Sequence, residues 1–386
     1  MTDARQEFVL KAQRDGMPFA ALCRQYGISR KTGYKWLGRA QEDGLFVLAD
    51  RSRRPHKSAT QTDEEVICRL VRLKLAHPTW GPKKIRVLYA GQFGPAPSLS
   101  TCHRVLQRSG LVSTLRRRRV APQARIQTDA VATAPNDVWT VDFKGWWRLA
   151  DQQRCEPLTV RDAYSRFVLA VQITSSGKTE QVRAVFERLF ERYGVPRVIK
   201  SDNGVPFAST HGLLGLTRLS AWWVALGIQL DRSRPAHPQD NGAHERMHCD
   251  IKAELAAHIQ PDQLAQQAAC DLWRDEYNTL RPHETLGQKT PAQLYQKSTR
   301  KYRPALLAYP TGFITRKVRP VGTIAIERHS FFISAALGGW DLGLRYSSPN
   351  TIEVWFAYLH IGHIDLQTLG FFGAPSRPQE AQRLTA

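Results

Sequence analysis

Three acidic residues, each in a different predicted element, constrain the fold of this 386-residue chain more than any other feature. Asp142 in VWTVDFKGWW and Asp202 in VIKSDNGVPF follow runs of apolar and β-branched residues, which predict buried strands. Glu245 follows Asn241-Gly242 at the start of a run of good helix formers. Two neighbouring strands and a helix packed against them would therefore gather three carboxylates in one place.

Three carboxylates held together suit the binding of divalent cations. Their oxygens are the hard ligands that Mg²⁺ prefers, and two such ions roughly 3.5–4 Å apart clamp the attacking and leaving oxygens of an in-line phosphoryl displacement. Lys252 lies seven residues after Glu245 on the same helix face, where its ammonium group can reach a phosphate. A lone Asp at a strand end is more often a turn or cap residue, but three acids in three separate motifs favour metal-dependent phosphoryl transfer.

The predicted helix around Glu245 also matches the pattern of a different enzyme class. His244 and His248 flank it in the spacing H-E-x-x-H, in which two histidines bind zinc and the glutamate is the general base of a metalloprotease. Such a protease needs a third zinc ligand further along the chain and gains nothing from a strongly basic surface. We therefore favour histidines that flank the acidic site and contact DNA or solvent.

The charge of the chain indicates an acidic polymer as its partner. The formal net charge is +21, and neutralising phosphates with release of counterions is the term that dominates DNA affinity. No apolar run approaches the length of a membrane-spanning helix, and no signal peptide precedes the polar start. We therefore expect no membrane partner and a cytoplasmic, nucleoid-associated protein in a bacterial host. The six cysteines form no C-x-x-C pair, so they indicate neither a disulfide framework nor a zinc knuckle.

Two helical units precede the acidic motifs, and the last helix of each is the expected recognition helix for DNA. Taken alone, the first unit also fits an ordinary three-helix bundle with a solvated basic face. The predicted helices span residues 4–14, 18–26, 29–41, 63–76, 81–89 and 99–108. The residues expected to contact DNA from these helices are Ser29, Arg30, Lys31, Thr32, Tyr34, Lys35, Thr101, His103 and Arg104.

Four consecutive arginines follow the second helical unit. A run of arginines cannot pack in a core, so the segment is either a solvated tether or a strap along phosphate backbones. Its position between two DNA-directed regions favours the strap. The four residues are Arg116, Arg117, Arg118 and Arg119.

From about residue 136 the pattern changes to strands that alternate with helices. The predicted strands span residues 138–149, 157–162, 167–174, 197–201 and 228–232, and the predicted helices span 179–193, 216–226 and 242–259. In the resulting mixed sheet, Asp142 on the first strand lies beside Asp202 at the end of the fourth, and Glu245 reaches the pair from a helix. Short β-rich runs after residue 303 predict a small β-barrel.

The three acidic motifs resemble the D-D-E triad of the retroviral-integrase superfamily. Retroviral integrases carry an N-terminal His-His-Cys-Cys zinc module that this chain lacks. Helix-turn-helix units in its place make the chain similar to the bacterial insertion-sequence transposases of that superfamily. The resemblance implies an α/β multidomain protein with N-terminal helix-turn-helix units, a ribonuclease-H-like mixed-sheet catalytic core and a C-terminal small SH3-like β-barrel.

The resemblance also implies a site, a cofactor and partners. Asp142, Asp202 and Glu245 would be both catalytic residues and metal ligands, with two Mg²⁺ ions per site and Mn²⁺ able to substitute. Asn241, Arg246 and Lys252 would contact DNA beside them. The implied partners are double-stranded DNA, both element ends and target, and further copies of the chain in a homodimer or higher synaptic oligomer.

Some alternatives stay open at this point. In much of the family about thirty-five residues separate the last two acids, whereas this chain has extra sequence around residues 209–216, which we expect to form a surface loop. Glu254 is an alternative third ligand, and Asp162 is expected to be structural or second-shell. A ribonuclease H and a non-catalytic DNA-binding regulator are alternative functions. The expected domains are 1–49 and 56–112 for DNA binding, 113–135 as a basic linker, 136–300 as the catalytic core and 301–386 as the β-rich domain.

Overall fold

The computed structural model describes residues 2–14, 16–45, 48–50, 61–112, 130–174, 178–233 and 242–374. The predicted DNA-contacting residues Arg116 to Arg119 and Asn241 lie outside these ranges. Residue contacts divide the chain into two compact units, residues 1–63 and 64–386. The division into five domains stays a prediction.

The first unit is built from three helices around a small aromatic core. These are α1 (Thr2–Arg14), α2 (Phe19–Gln25) and α3 (Arg30–Asp43). Ser29 caps α3 as predicted, because its hydroxyl accepts a hydrogen bond from the main-chain N–H of Thr32. Gly33 lets α3 approach its neighbours, since a Cβ at that position would lie 2.9 Å from the Phe8 and Phe19 rings.

The second unit begins with three more helices that share a separate core. They are α4 (Glu64–Ala76), α5 (Pro82–Phe93) and α6 (Leu99–Arg108). Trp80 is buried among Leu70, Ile85 and Leu106, and Ser98 caps α6 in the way that Ser29 caps α3. The helices predicted in both regions are thus present, with ends that differ by a few residues.

A six-stranded mixed sheet follows. Its strands are β1 (Val138–Phe143), β2 (Trp147–Arg148), β3 (Arg154–Asp162), β4 (Val168–Thr174), β5 (Val198–Ser201) and β6 (Gln229–Arg232). The strand order is β2-β3-β1-β5-β6, and β4 also pairs with β3. Strand β3 pairs antiparallel with both β1 and β4, whereas β5 pairs parallel with both β1 and β6. The single strand predicted over residues 138–149 is wrong, because the chain turns between β1 and β2 at Gly145, whose φ of 82° is in the left-handed region.

Four long helices cover the mixed sheet. They are α7 (Thr179–Tyr193), α8 (Arg218–Ala225), α9 (Gly242–Glu254) and α10 (Gln263–Thr279). Phe186 and Trp223, from α7 and α8, pack on Trp139 and Val160 of the sheet. Helices α9 and α10 share a second apolar cluster with β4. The sequence prediction extended α9 by five residues and did not include α10.

The C-terminal region is an antiparallel sheet with a separate hairpin. The strands are β7 (Ile314–Lys317), β8 (Thr323–Ile326), β9 (His329–Phe332), β10 (Asp341–Ser348), β11 (Thr351–Phe356), β12 (Leu359–Asp365) and β13 (Gly370–Gly373). Their order is β13-β12-β11-β10-β7, and β8 pairs with β9. Since these pairings do not close the sheet, the predicted SH3-like barrel is not confirmed.

The C-terminal sheet and the mixed-sheet region share one apolar cluster. Val224 of α8 belongs to the same buried cluster as Val354 and Phe356 of β11. The Tyr358 hydroxyl also donates to the main-chain oxygen of Ile228 at 2.9 Å. The extra segment 209–216 takes part, since Leu216 is buried in this cluster, so the prediction of a simple surface loop is wrong there. No helix within the described residues is long and apolar enough to cross a membrane.

Candidate active site

Asp142 and Asp202 lie at the same edge of the mixed sheet. Strands β1 and β5 run parallel, with Val138 paired to Val198 and Thr140 to Lys200, so their carboxyl ends meet. Asp142 lies near the end of β1, and Asp202 directly follows β5. The sequence prediction that these two acids lie on neighbouring strands is therefore confirmed.

The charges at this edge raise the pKa of Asp142. Its carboxyl is largely buried, and this burial, together with the negative charges of Asp202 and Glu245, raises its pKa to about 7. Lys144 opposes this effect only weakly. Asp202 and Glu245 thus lie close enough to Asp142 for their charges to act on its carboxyl, an effect that a divalent cation would relieve.

Glu245 lies in the first turn of α9 and is exposed. Arg161, a buried residue of β3, holds this end of the helix by donating from Nη1 to the main-chain oxygen of Ala243 at 2.7 Å. Arg246 and Lys252, which we predict to contact DNA, are exposed on the same helix. The helix thus presents one acid and two cations to solvent beside the sheet edge.

A neutral hydrogen-bond network joins α9 to the strands below it. His244 contacts the hydroxyl of Thr140 through Nδ1 at 2.7 Å and that of Thr159 through Nε2 at 2.6 Å. The Thr159 hydroxyl also contacts Nε2 of His248 at 2.8 Å and donates to the main-chain oxygen of Asp142 at 2.9 Å. Burial lowers the pKa of both histidines, that of His248 to about 3, so both imidazoles are neutral.

This network argues against the zinc-protease alternative. His244 is fully buried and both of its ring nitrogens are engaged by threonine hydroxyls, so it has no lone pair for zinc. Nor do the described residues contain any group of three His, Cys, Asp or Glu side chains positioned to hold a metal ion as they stand. The H-E-x-x-H spacing is here a structural feature of α9, and the expectation that both histidines contact DNA or solvent is wrong for His244, which is fully buried.

The donor chemistry at the sheet edge nevertheless fits a divalent cation. Among the described residues, no Lys or Arg lies within 4 Å of the carboxylates of Asp142, Asp202 or Glu245. One oxygen of Asp202 accepts from the N–H of Gly204 at 3.1 Å, which leaves its other oxygen for a ligand. Carboxylates without a fixed cationic partner are the oxygen ligands that Mg²⁺ and Mn²⁺ use.

Glu254, the alternative third ligand, is committed elsewhere. Both of its oxygens accept from Arg281, at 3.0 and 3.1 Å, and one also accepts from Nε1 of Trp273 at 2.6 Å. The hydroxyl of Thr79, which lies between α4 and α5, donates to the Glu254 carboxylate as well. Arg281 in addition pairs with Asp250 at 2.9 Å. These contacts favour Glu245 over Glu254 as the acid that faces the site.

Asp162 has a structural role, which is one of the two roles predicted for it. This buried carboxylate accepts hydrogen bonds from the main-chain N–H groups of Asn136 and Ser165, both at 2.7 Å, and from the Ser165 hydroxyl at 2.5 Å. It therefore closes the turn between β3 and β4. A carboxylate that is saturated in this way has little capacity left for a metal ion.

The predicted recognition helices present most of their proposed DNA contacts to solvent. On α3, Arg30, Lys31, Tyr34 and Lys35 are exposed, although Tyr34 also stacks on the ring of Phe19. On α6, His103 and Arg104 are exposed in the same way. The remaining members take part in capping hydrogen bonds: Ser29, Thr32 and Thr101. Contact with DNA stays a prediction for all of them.

Sequence reasoning missed three residues that shape the site. Thr140 and Thr159 are polar residues between apolar neighbours on their strands, and that contrast was the available signal. Arg161 holds the start of α9 through a contact that depends on the tertiary fold, so no local pattern indicated it.

Profiles of known protein families match most of the chain. Two profiles described as "Integrase core domain" match residues 132–238 and 226–291. A "Homeodomain-like domain" profile matches residues 32–106, and a "Helix-turn-helix domain" profile matches residues 4–56. The integrase matches include all three acids of the candidate site.

Relatives from bacterial insertion elements match over long stretches. The uncharacterized 39.2 kDa protein of insertion element IS476 from Xanthomonas euvesicatoria is 27% identical over 64% of this chain and 70% of its own length. The uncharacterized 31.7 kDa protein of IS407 from Burkholderia multivorans is 25% identical over 61% of this chain and 82% of its own length. The magnesium complex of the HTLV-2 integrase catalytic core domain is 19% identical over 43% of this chain and all of its own, with a TM-score of 0.35, too low to support a conclusion.

Proposed function

We propose that this chain cuts DNA at the ends of a mobile element and joins those ends to target DNA. The reason is that it belongs to the bacterial insertion-sequence transposases of the retroviral-integrase-like superfamily. Its general activity would be that of a polynucleotidyl transferase. The proposal rests above all on the shared edge of β1 and β5, where burial and the charges of Asp202 and Glu245 raise the pKa of Asp142.

The three acids would hold the metal ions of the reaction. Two Mg²⁺ ions, with Mn²⁺ as a substitute, would activate the attacking hydroxyl and stabilise the leaving oxygen. Asp142 and Asp202 approach from the sheet, and Glu245 approaches from the first turn of α9. Carboxylate oxygens of this kind are the ligands that these cations prefer.

The exposed cations of α9 would position the DNA backbone. Arg246 and Lys252 lie on the same helix as Glu245, so their side chains can contact phosphates next to the scissile bond. In the first step water would attack a phosphodiester at the element end and free a 3′-hydroxyl. In the second step that hydroxyl would attack a target phosphodiester at the same site, without a covalent enzyme intermediate.

The helix-turn-helix units would recognise the element ends. The exposed polar side chains of α3 and α6 can reach base edges and phosphates, and the net charge of +21 favours double-stranded DNA as the partner. Two ends must be joined together, so we propose a homodimer or larger synaptic complex. The protein would act in the bacterial cytoplasm, on the nucleoid.

The two alternative functions have less support. A ribonuclease H would use the same sheet and metal chemistry, but the two helical DNA-binding units would have no task in it. A regulator that only binds DNA would use those units but would have no need for carboxylates that raise the pKa of Asp142.

A cleavage assay tests the proposal. Purified full-length protein is incubated with a supercoiled plasmid that carries its gene and native flanking DNA, with Mg²⁺ or with EDTA. We expect cleavage and joining at the element ends only with Mg²⁺, and at least about 1,000-fold less product from Asp202→Asn. End binding without cleavage in wild type would favour the regulator, and cleavage in EDTA would exclude the proposed chemistry.

A further inference from the structure

The imidazole of His248 faces the carboxylate of Asp142 across a gap. Nδ1 of His248 lies 4.0 Å from Oδ2 of Asp142, which is too far for a direct hydrogen bond. The two side chains are 11% and 26% exposed, so the gap between them is reachable from solvent. An additional atom is needed for these two groups to interact.

The hydrogen bonds of Thr159 decide which nitrogen of His248 is free. A hydroxyl has one proton, and that of Thr159 goes to the main-chain oxygen of Asp142, which can only accept. The Nε2 atoms of His244 and His248 must therefore each donate their proton to the Thr159 oxygen. Because a neutral imidazole carries one proton, Nδ1 of His248 keeps a lone pair on the side of Asp142.

This is the arrangement that metal-binding histidines use. One ring nitrogen donates to a hydrogen-bond acceptor, which fixes the ring, while the other binds the metal. A cation bound by both Nδ1 of His248 and Oδ2 of Asp142 would join the two side chains across this gap. His244 differs, since its second nitrogen is already hydrogen-bonded to the Thr140 hydroxyl.

We propose that His248 is a nitrogen ligand of the divalent cation held by Asp142, and that the site therefore favours Mn²⁺ over Mg²⁺. This inference rests on the proposed function, to which it adds a residue and an ion preference. Imidazole nitrogen is a better ligand for transition ions than for Mg²⁺, which prefers oxygen. His248 would thus add one imidazole nitrogen to the carboxylate of Asp142.

Pulsed electron paramagnetic resonance of bound Mn²⁺ tests the assignment without relying on activity. The full-length protein with one equivalent of Mn²⁺ is expected to show coupling to a nitrogen nucleus. The coupling should disappear in His248→Gln and persist in His258→Gln, which alters an exposed histidine beyond the end of α9. We also expect the preference for Mn²⁺ over Mg²⁺ in competition binding to fall about tenfold in His248→Gln.

The wild-type spectrum alone keeps the proposal testable if His248→Gln does not fold. Replacing histidine nitrogen by ¹⁵N should then change the coupling pattern, which identifies a histidine donor. A Mn²⁺ ion with oxygen ligands only, or coupling that persists in His248→Gln, would overturn this assignment. If Asp142→Asn weakens Mn²⁺ binding while the wild-type spectrum shows no nitrogen coupling, the assignment of His248 is overturned and the proposed function survives. If the wild-type protein binds no Mn²⁺, both the assignment of His248 and the proposed function are overturned.

Discussion

The two halves of helix α9 are held by opposite kinds of interaction. At the half that carries Glu245, neutral imidazoles of His244 and His248 bond to threonine hydroxyls. At the other half, Asp250 and Glu254 are ion-paired with the buried guanidinium of Arg281. The same helix therefore keeps its charges compensated at one end and leaves them uncompensated at the other.

The difference indicates how a fold can position acids without neutralising them. A buried arginine beside Asp142 would hold its carboxylate ionised and would compete with a metal ion for its oxygens. At this half the neutral histidines fix α9 against β1 and β3, and the buried cation there, Arg161, donates to the main-chain oxygen of Ala243 and not to a site acid. Arg281 can hold the distal half because no site acid lies there.

The largest expected effect comes from breaking the ionic half. Arg281→Met leaves the Asp250 and Glu254 carboxylates largely buried without their partner, so we expect a loss of about 3–5 kcal/mol in the free energy of unfolding. Urea denaturation measures this loss. Lys83→Met is the matched control, because its ion pair with Glu284 is exposed and should contribute at most about 1 kcal/mol. Equal losses in the two variants would contradict the comparison.

Removing the histidine network of the half that carries Glu245 should lower the free energy of unfolding somewhat less. His244→Ala creates a cavity and removes one hydrogen-bond partner from each of the hydroxyls of Thr140 and Thr159, so we expect a loss of about 3 kcal/mol in the free energy of unfolding. The exposed His258 provides the control, because His258→Ala should change stability by less than about 0.5 kcal/mol. A stable His244→Ala protein would show that α9 does not depend on the network.

The stability of the metal-free protein should depend on pH through Asp142. Its folded-state pKa of about 7 is above its ordinary value, so the folded state keeps a proton that the unfolded chain releases between about pH 4 and 7. The stability contributed by this proton is complete below about pH 4 and is lost as the pH rises through 7. We expect wild type to lose about 2 kcal/mol more than Asp142→Asn between about pH 5 and 8. Urea titrations in EDTA at several pH values measure this difference in stability. Parallel pH profiles of stability for the two proteins would contradict the prediction.

The smallest expected signal is the zinc content of the protein. Because both ring nitrogens of His244 are occupied, this residue should hold no zinc, and the zinc content of the purified protein should be the same in wild type and in His244→Ala. Elemental analysis of wild type and His244→Ala measures it. One tightly held zinc per chain in wild type, absent from the variant, would restore the protease alternative.

The sequence predicted the parts of the site that depend on local patterns. Asp142 and Asp202 follow β-branched runs, and Glu245 begins a helix, so their elements were predictable. The hydroxyls of Thr140 and Thr159 were not predictable, because their partners lie 104 and 85 residues away in the chain. The break at Gly145 was hidden by the apolar Trp146 and Trp147 around it. The open C-terminal sheet depends on its packing against α8, which no strand pattern encodes.

Two matched substitutions on α9 separate its halves in the cleavage reaction. Glu245→Gln and Glu254→Gln make the same chemical change nine residues apart on one helix, and each is assayed with Mg²⁺ on the plasmid substrate after its folding has been checked by urea denaturation. We expect Glu245→Gln to fold like wild type and lose cleavage and joining, and Glu254→Gln to lose stability while folded protein still cleaves. Wild-type activity in Glu245→Gln together with an inactive, folded Glu254→Gln would contradict the proposed site.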